Sequence, residues 1–227
     1  MSAEGTAVFW AATTVGIYLA STRIHLRFNA WWSSPLLLTW GLCGGLVLAT
    51  RSSYGEYLSG TQWLIDLLGP AIVAFAIPIH ENRRTIRRHW RLLVVGTFVG
   101  SALALGSACV LADFFHFSSQ HEASFLPRSI STPFAIMASR DLGGFPELTA
   151  ALTAVTGIFG ATIGTGLLSR MPLRSSFARG ASLGMGAHGA GVAKAYELGE
   201  EEGTVAGLTM IFAGLLNVIF AAILAQV

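Results

Sequence analysis

The stretch SLGMGAHGAGVAKAYELGEEEG (182–203) sets an imidazole and an ammonium, His188 and Lys194, among six glycines. An imidazole titrates near physiological pH, so His188 can donate to an anion or carry a coupled proton. Gly184, Gly186, Gly189 and Gly191 let backbones approach closely, either helix to helix or backbone to ligand. Plainer readings stand beside these. The glycines can serve packing alone, and His188 can be a core histidine bonded to a carbonyl. Lys194 and Glu197, spaced i,i+3, can snorkel to an interface and pair there.

A second stretch, LPRSISTPFAIMASRDLGG (126–144), carries hydroxyls ahead of a helix start. Thr132 followed by Pro133 reads as N-cap and N1, with Ser129 and Ser131 adding hydroxyls beside them. A helix N-terminus at membrane depth offers free N–H groups and partial positive charge to a carboxylate or phosphate. The alternative is an ordinary capped helix at the interface. Arg140 and Asp141 interrupt the apolar run before Gly143 and Gly144. They read either as an ion pair near water or as groups facing a substrate path, since intramembrane charge is expensive.

Other candidates are weaker. Gly69, Pro70 and Pro78 in LLGPAIVAFAIPIH (67–80) predict a kinked or broken helix, for gating or for geometry alone. Asn217 suits a helix–helix hydrogen bond. Cys43 and Cys109 lie in apolar runs and read as buried small hydrophobes. No Ser/His/Asp arrangement, nucleotide loop or metal-ligand spacing emerges, so the expectation is no enzyme, no metal and no cofactor.

The elements holding these residues belong in lipid. Of the 227 residues, 53% are hydrophobic and 11% charged, and mean hydropathy is +0.61. A soluble domain carries about a quarter charged residues. Spans needing roughly 20 apolar residues are expected at about 6–22, 35–50, 61–79, 92–112, 147–169 and 203–226. The first reads as a retained helix, because Glu4 and the lack of a basic flank argue against a cleaved signal. Stretches 129–145 and 181–198 are apolar but interrupted by Gly, Pro and charges, and read as broken or re-entrant segments. The fold class is therefore an all-α polytopic membrane protein with about six spanning helices and two broken segments.

Basic residues orient it. HENRRTIRRHWR (80–91) reads as a cytoplasmic loop, as do the stretches around Arg23 and Arg27 and around Arg170, Arg174 and Arg179. Residues 113–125 hold no Lys or Arg and read as external. Between spans, the arginines of 80–91 mark topology and touch anionic lipid rather than nucleic acid. The segment at 129–145 then dips in from outside, and that at 181–198 enters from the cytoplasm. Two such segments entering from opposite faces are the pattern of an inverted-repeat transporter. Whether the second one crosses fully, placing the C-terminus inside, stays open at this point.

LGPAIVAFAIPIHENRRTIRRHW, LPRSISTPFAIMASRDLGG, LTAVTGIFGATIG and ARGASLGMGAHGAGVAKAYELGEEEGTVAGL together resemble the LrgB/CidB family of bacterial membrane proteins. The resemblance runs from about residue 61 to the C-terminus. Ser131-Thr132-Pro133 stands where Thr-Thr-Pro is commoner, and Lys194 where Lys or Arg occurs. It implies a bacterial inner-membrane, multi-pass protein with one of two functions. One is a holin/antiholin-like role in murein hydrolase export and lysis, acting with a small LrgA-like membrane protein. The other is transport of small monocarboxylates: glycolate and glycerate, as in a related fused chloroplast-envelope protein, or pyruvate, as in similar bacterial LrgA/LrgB-like pairs.

Broken segments bearing hydroxyls, His and Lys favour the carrier. A lesion-forming holin has little use for such segments, so the expectation is alternating access, with scaffold helices in 1–60 and a transport core in 61–227. Ser129, Ser131, Thr132, Pro133, Gly186, His188, Gly189 and Lys194 would bind the carboxylate. Arg140, Asp141, Glu197, Gly69 and Pro70 would couple or gate, with H⁺, Na⁺ or no coupling ion. The bilayer, a second copy of the chain and an LrgA-like protein are the expected partners.

Overall fold

A computed structural model describes residues 3–28, 33–173 and 175–226, all helix and connecting turns. Arg174, counted above among the topology markers, lies outside the described residues. The chain divides into two compact units, Met1–Pro70 and Ala71–Val227.

In the first unit, α1 (Ala3–Phe28) packs on both α2 (Pro35–Thr50) and α3 (Tyr54–Asp66). Ser53 and Glu56 start α3 with a reciprocal capping box, satisfying two otherwise orphaned donors. Gly60 sits directly on the backbone of Ala7, so α1 and α3 touch where a side chain would hold them apart. Beside that contact Trp10, 1% exposed, meets the Tyr57 ring edge-on at 5.3 Å. Cys43 is buried as expected; Cys109, in the second unit, is only partly so.

The run after α3 is broken twice, into α4 (Leu68–Ala74) and α5 (Ala76–Glu81). Each break, at Leu67 and Phe75, falls three residues before a proline, Pro70 or Pro78. The proline ring crowds the carbonyl four residues back and cannot donate to it, so the helix opens there. Gly69 and Pro70 are exposed.

Four helical runs are long and apolar enough to cross a membrane: Tyr54–Glu81, Arg83–Phe114, Pro146–Arg170 and Glu200–Leu224. They contain four of the six expected spans. The span expected at 6–22 lies inside α1, and that at 35–50 is α2, a shorter apolar helix of 16 residues. The arginine-rich stretch is not a loop. Apart from Asn82 it is helical, closing α5 and opening α6 (Arg83–Phe114), with a kink at His89. Arginine is a good helix former, and these side chains reach water without the backbone leaving the helix.

In the second unit, α6 and α11 (Glu200–Leu224) run parallel. Phe98 lies beside Leu216, and Cys109 near Leu224. Asn217 ties them, its amide donating to Ser101 Oγ at 2.9 Å and to the Ala213 carbonyl at 2.8 Å. α9 (Pro146–Arg170) runs the other way, with Leu168 near its end packing on Leu183 and Ala206.

Two hairpins fill the intervals. The first descends through α7 (Ser119–Phe125) and a 3-10 turn, Leu126–Ser129. It turns at Ile130 and Ser131 in extended backbone and returns as α8 (Thr132–Asp141). Leu126 and Pro127 thereby face Ala138 and Leu142. Its base is stitched by Ser124, which accepts from the Phe145 N–H at 2.7 Å, and by Thr149, which donates to the Ser124 carbonyl at 2.9 Å.

The second hairpin is α10 (Ser176–Leu198), broken at His188. Gly191 lies on the Leu183 carbonyl, although residues eight apart in a straight helix are about 12 Å apart. The chain therefore doubles back. At the base, Arg179 pairs with Glu202 at 2.5 Å, and Gly180 and Gly184 rest on the backbones of Glu202 and Ala206. Twelve residues from Ser176 to His188 rise about 18 Å, near the middle of a hydrocarbon core of about 30 Å. The segment is re-entrant, and α11 starts at the end where α10 entered.

Candidate functional site

The two hairpins enter from opposite ends and meet at their turns. Met185, one helical turn before His188, packs into the cluster of Ile130, Phe134, Ala135 and Ala213, all near the first turn or on α11. Phe134 can reach that position because Gly214 presents bare backbone to its ring. The 3-10 turn Leu126–Ser129 touches α6, α9 and α10 as well as α8, so it sits where the elements of this unit converge.

His188 forms the second turn with φ 42° and ψ −123°. L-residues avoid this conformation, at a cost on the order of 1–3 kcal/mol. Its side chain is 3% exposed and faces Gly157 of α9, where a Cβ would lie 3.3 Å from Nδ1. Its Nε2 is buried with no hydrogen-bond partner among the described residues. A buried polar atom without a partner, on a strained backbone, calls for an explanation beyond packing.

At the other turn the helix starts one residue earlier than expected. Ser131 is the N-cap and Thr132 the first helical residue, placing Pro133 second. The reason is the extended backbone at Ser131, φ −61° and ψ 140°, which ends the turn before Thr132. No side chain caps this start. Its first-turn N–H groups thus have no intrahelical partner, and Pro133 contributes none. Ser131 is 6% exposed, while Ser129, Thr132 and Pro133 are half-buried.

The remaining candidates fall elsewhere. Lys194 lies on the returning half of α10 and is bound to Glu197 at 2.7 Å, both partly open to the surroundings. Gly186 and Gly189 flank His188 and are exposed, with no atom near enough to meet a Cβ. Arg140 and Asp141 are exposed at the end of α8, at the first hairpin's base rather than its turn. Ser131, Thr132 and Pro133 thus lie at one turn and His188 with its flanking glycines at the other, the two joined through Met185 and the cluster of Ile130 and Phe134, while Lys194, Arg140, Asp141 and Glu197 lie away from both turns.

Sequence reasoning missed Arg128. It sits in the 3-10 turn three residues before Ser131, its guanidinium 4.0 Å from the Phe125 ring centre. Its Nη1 is buried without a partner, and among the described residues no carboxylate pairs with it. The signal was present: Arg128 is the one Lys or Arg between Arg91 and Arg140. It lies in the first hairpin, apart from the arginines clustered in 80–91.

A sequence model described as the LrgB-like family matches residues 14–227. The chain is 35% identical over 204 residues to the uncharacterized protein YwbG of Bacillus subtilis, covering 90% of this chain and 91% of that one. It is 32% identical to YxaC of the same organism over 91% of this chain and 90% of that one. It is 28% identical to the holin-like protein CidB of Staphylococcus epidermidis over 96% of this chain and 95% of that one. No solved structure matches.

Proposed function

Starting from the premise that this chain belongs to the LrgB-like family, we propose that it is a secondary carrier of small monocarboxylates in the bacterial inner membrane. The observation that carries this reading is the approach of two re-entrant hairpins near their turns, one turn bearing the unpartnered His188 Nε2 and the other the uncapped start of α8. Free N–H groups, a helix dipole and an imidazole N–H suit a carboxylate. Glycolate, glycerate and pyruvate are the substrates of choice, being small enough for a site built from turns.

In this mechanism the carboxylate binds at the first-turn N–H groups of α8 and the Ser131 and Thr132 hydroxyls. His188 donates from the opposite turn, and Gly186 and Gly189 leave room for backbone approach. Binding neutralises donors that are otherwise orphaned, which favours closure of the two turns over the substrate. Access then alternates between the ends from which the hairpins enter. The reading involves no chemical conversion and no cofactor; H⁺ travelling with the substrate through His188 is the coupling it favours.

A second reading has support of another kind. Relatives named holin-like protein CidB favour a holin/antiholin-like role over a carrier, and in that role an LrgA-like membrane protein is the expected partner. Uptake of labelled glycolate into proteoliposomes holding this chain alone separates the two. Saturable uptake, competed by pyruvate and glycerate and lost in His188→Ala, supports the carrier. Unsaturable leakage of solutes of many sizes supports the holin-like reading. Absence of flux both alone and with an LrgA-like protein would sink the carrier.

A further inference from the structure

At the arginine-bearing end of the second unit, the starts of α6 and α11 flank an open cavity of about 580 Å³. It is unrelated to the hairpin turns. One wall carries Arg84 and Arg88, the other Glu200 and Glu201. All four are exposed, and neither of the two ion pairs among the described residues involves them. Opposite charges thus share a cavity without closing on each other. His89, at the α6 kink, lines the same space; its Nδ1 is buried without a partner among the described residues, and its ring lies 4.9 Å from that of Phe177.

Further along the same two helices lies an apolar cavity of about 320 Å³, lined by Trp90, Leu93, Phe212 and Leu216 among others. Trp90 is 53% exposed. Tryptophans of this kind sit at headgroup level, which sets the depth of the charged cavity beside it.

We propose that this charged cavity binds a phosphate ester that also carries a primary ammonium, supplied by the headgroup of an aminophospholipid. Phosphate lies between Arg84 and Arg88, and ammonium donates to Glu200 and Glu201, in charge-assisted hydrogen bonds. The acyl chains lie along the apolar cavity. A basic patch alone would recruit any anionic lipid. The acidic wall changes that preference, because phosphatidylglycerol offers it no cation and phosphatidylcholine offers it no N–H.

The test is lipid retention by the full chain, purified and analysed by native mass spectrometry after exposure to phosphatidylethanolamine or phosphatidylglycerol. The expected result is retention of phosphatidylethanolamine roughly ten-fold above phosphatidylglycerol. Glu200→Gln with Glu201→Gln should bring the two to parity, and Arg84→Gln with Arg88→Gln should lose both. Glu201→Lys should reverse the preference toward phosphatidylglycerol, a gain that misfolding cannot produce. Soluble phosphoethanolamine should displace the bound lipid, and glycerol phosphate should not. Equal retention of both lipids by the unmodified chain, or an undiminished preference in the paired Glu variant, overturns the proposal. Binding of soluble phosphoethanolamine without retention of its lipid overturns the lipid occupant.

Discussion

Gly157 faces His188 across the junction of α9 and α10, with room for the imidazole only because α9 carries no Cβ there: one would stand 3.3 Å from Nδ1 and 3.4 Å from the Ala187 carbonyl. A methyl at that distance requires the ring to give by a few tenths of an ångström. Gly157→Ala should therefore fold and raise the KM for carboxylate uptake several-fold, while Gly157→Val should abolish uptake. Unaltered kinetics in both variants would remove His188 from the site.

The backbone of His188 makes its own prediction. In an ordinary helix, Ala is more stable than Gly by about 1 kcal/mol. At φ 42° the order should invert. His188→Gly should melt higher than His188→Ala in detergent by an amount corresponding to about 1 kcal/mol. Uptake should be lost in both, which separates the strained turn from the imidazole. An unchanged Ala-over-Gly order would contradict the turn geometry.

At the base of the same hairpin, the ion pair between Arg179 and Glu202 is lopsided, with side chains 38% and 6% exposed. Removing Arg179 leaves a buried carboxylate without its cation, whereas removing the charge of Glu202 leaves a guanidinium able to reach water. Arg179→Gln should thus cost more than Glu202→Gln, with a difference on the order of 1–3 kcal/mol in unfolding free energy. Equal losses would mean that the pair acts only as a surface contact.

Two cations near the hairpins should behave differently. Lys194 already has a counter-charge in Glu197 and Arg128 has none among the described residues. Lys194→Met should change glycolate uptake less than two-fold, the scale of an exposed pair worth about 0.3–0.5 kcal/mol. If Arg128, in the turn that leads into α8, supplies the carboxylate's counter-charge in place of Lys194, Arg128→Gln should reduce uptake at least about ten-fold, as expected when one charged hydrogen-bond donor to an anion is removed. The reverse ranking would restore Lys194 as the substrate's counter-charge.

Much of this architecture was legible. The glycines and charges of 181–198 marked a broken segment without deciding whether it crossed, and the hydroxyls of 129–132 marked a helix start. The location of the reversal was not legible. A glycine at 186 or 189 could take positive φ at little cost, yet the turn falls on His188 between them. Close packing of Gly184 and Gly191 against neighbouring backbone fixes it there, and such long-range contacts leave no mark on local propensity. The arginines of 80–91 misled because charge density was read as irregular backbone. Arg128 escaped notice because its significance lies in the missing carboxylate, which only the three-dimensional arrangement reveals.

The parallel course of α6 and α11 has a practical consequence. Three crossings and two half-crossings bring the chain out at the end opposite Arg83, beside the Ser119–Phe125 helix rather than beside the arginines. With the basic end held in the cytoplasm, a reporter joined after residue 226 would be exported. A fluorescent protein that matures only in the cytosol would then stay dark on a well-expressed chain, and alkaline phosphatase would light up. Screens that rank variants by C-terminal fluorescence would discard the functional ones.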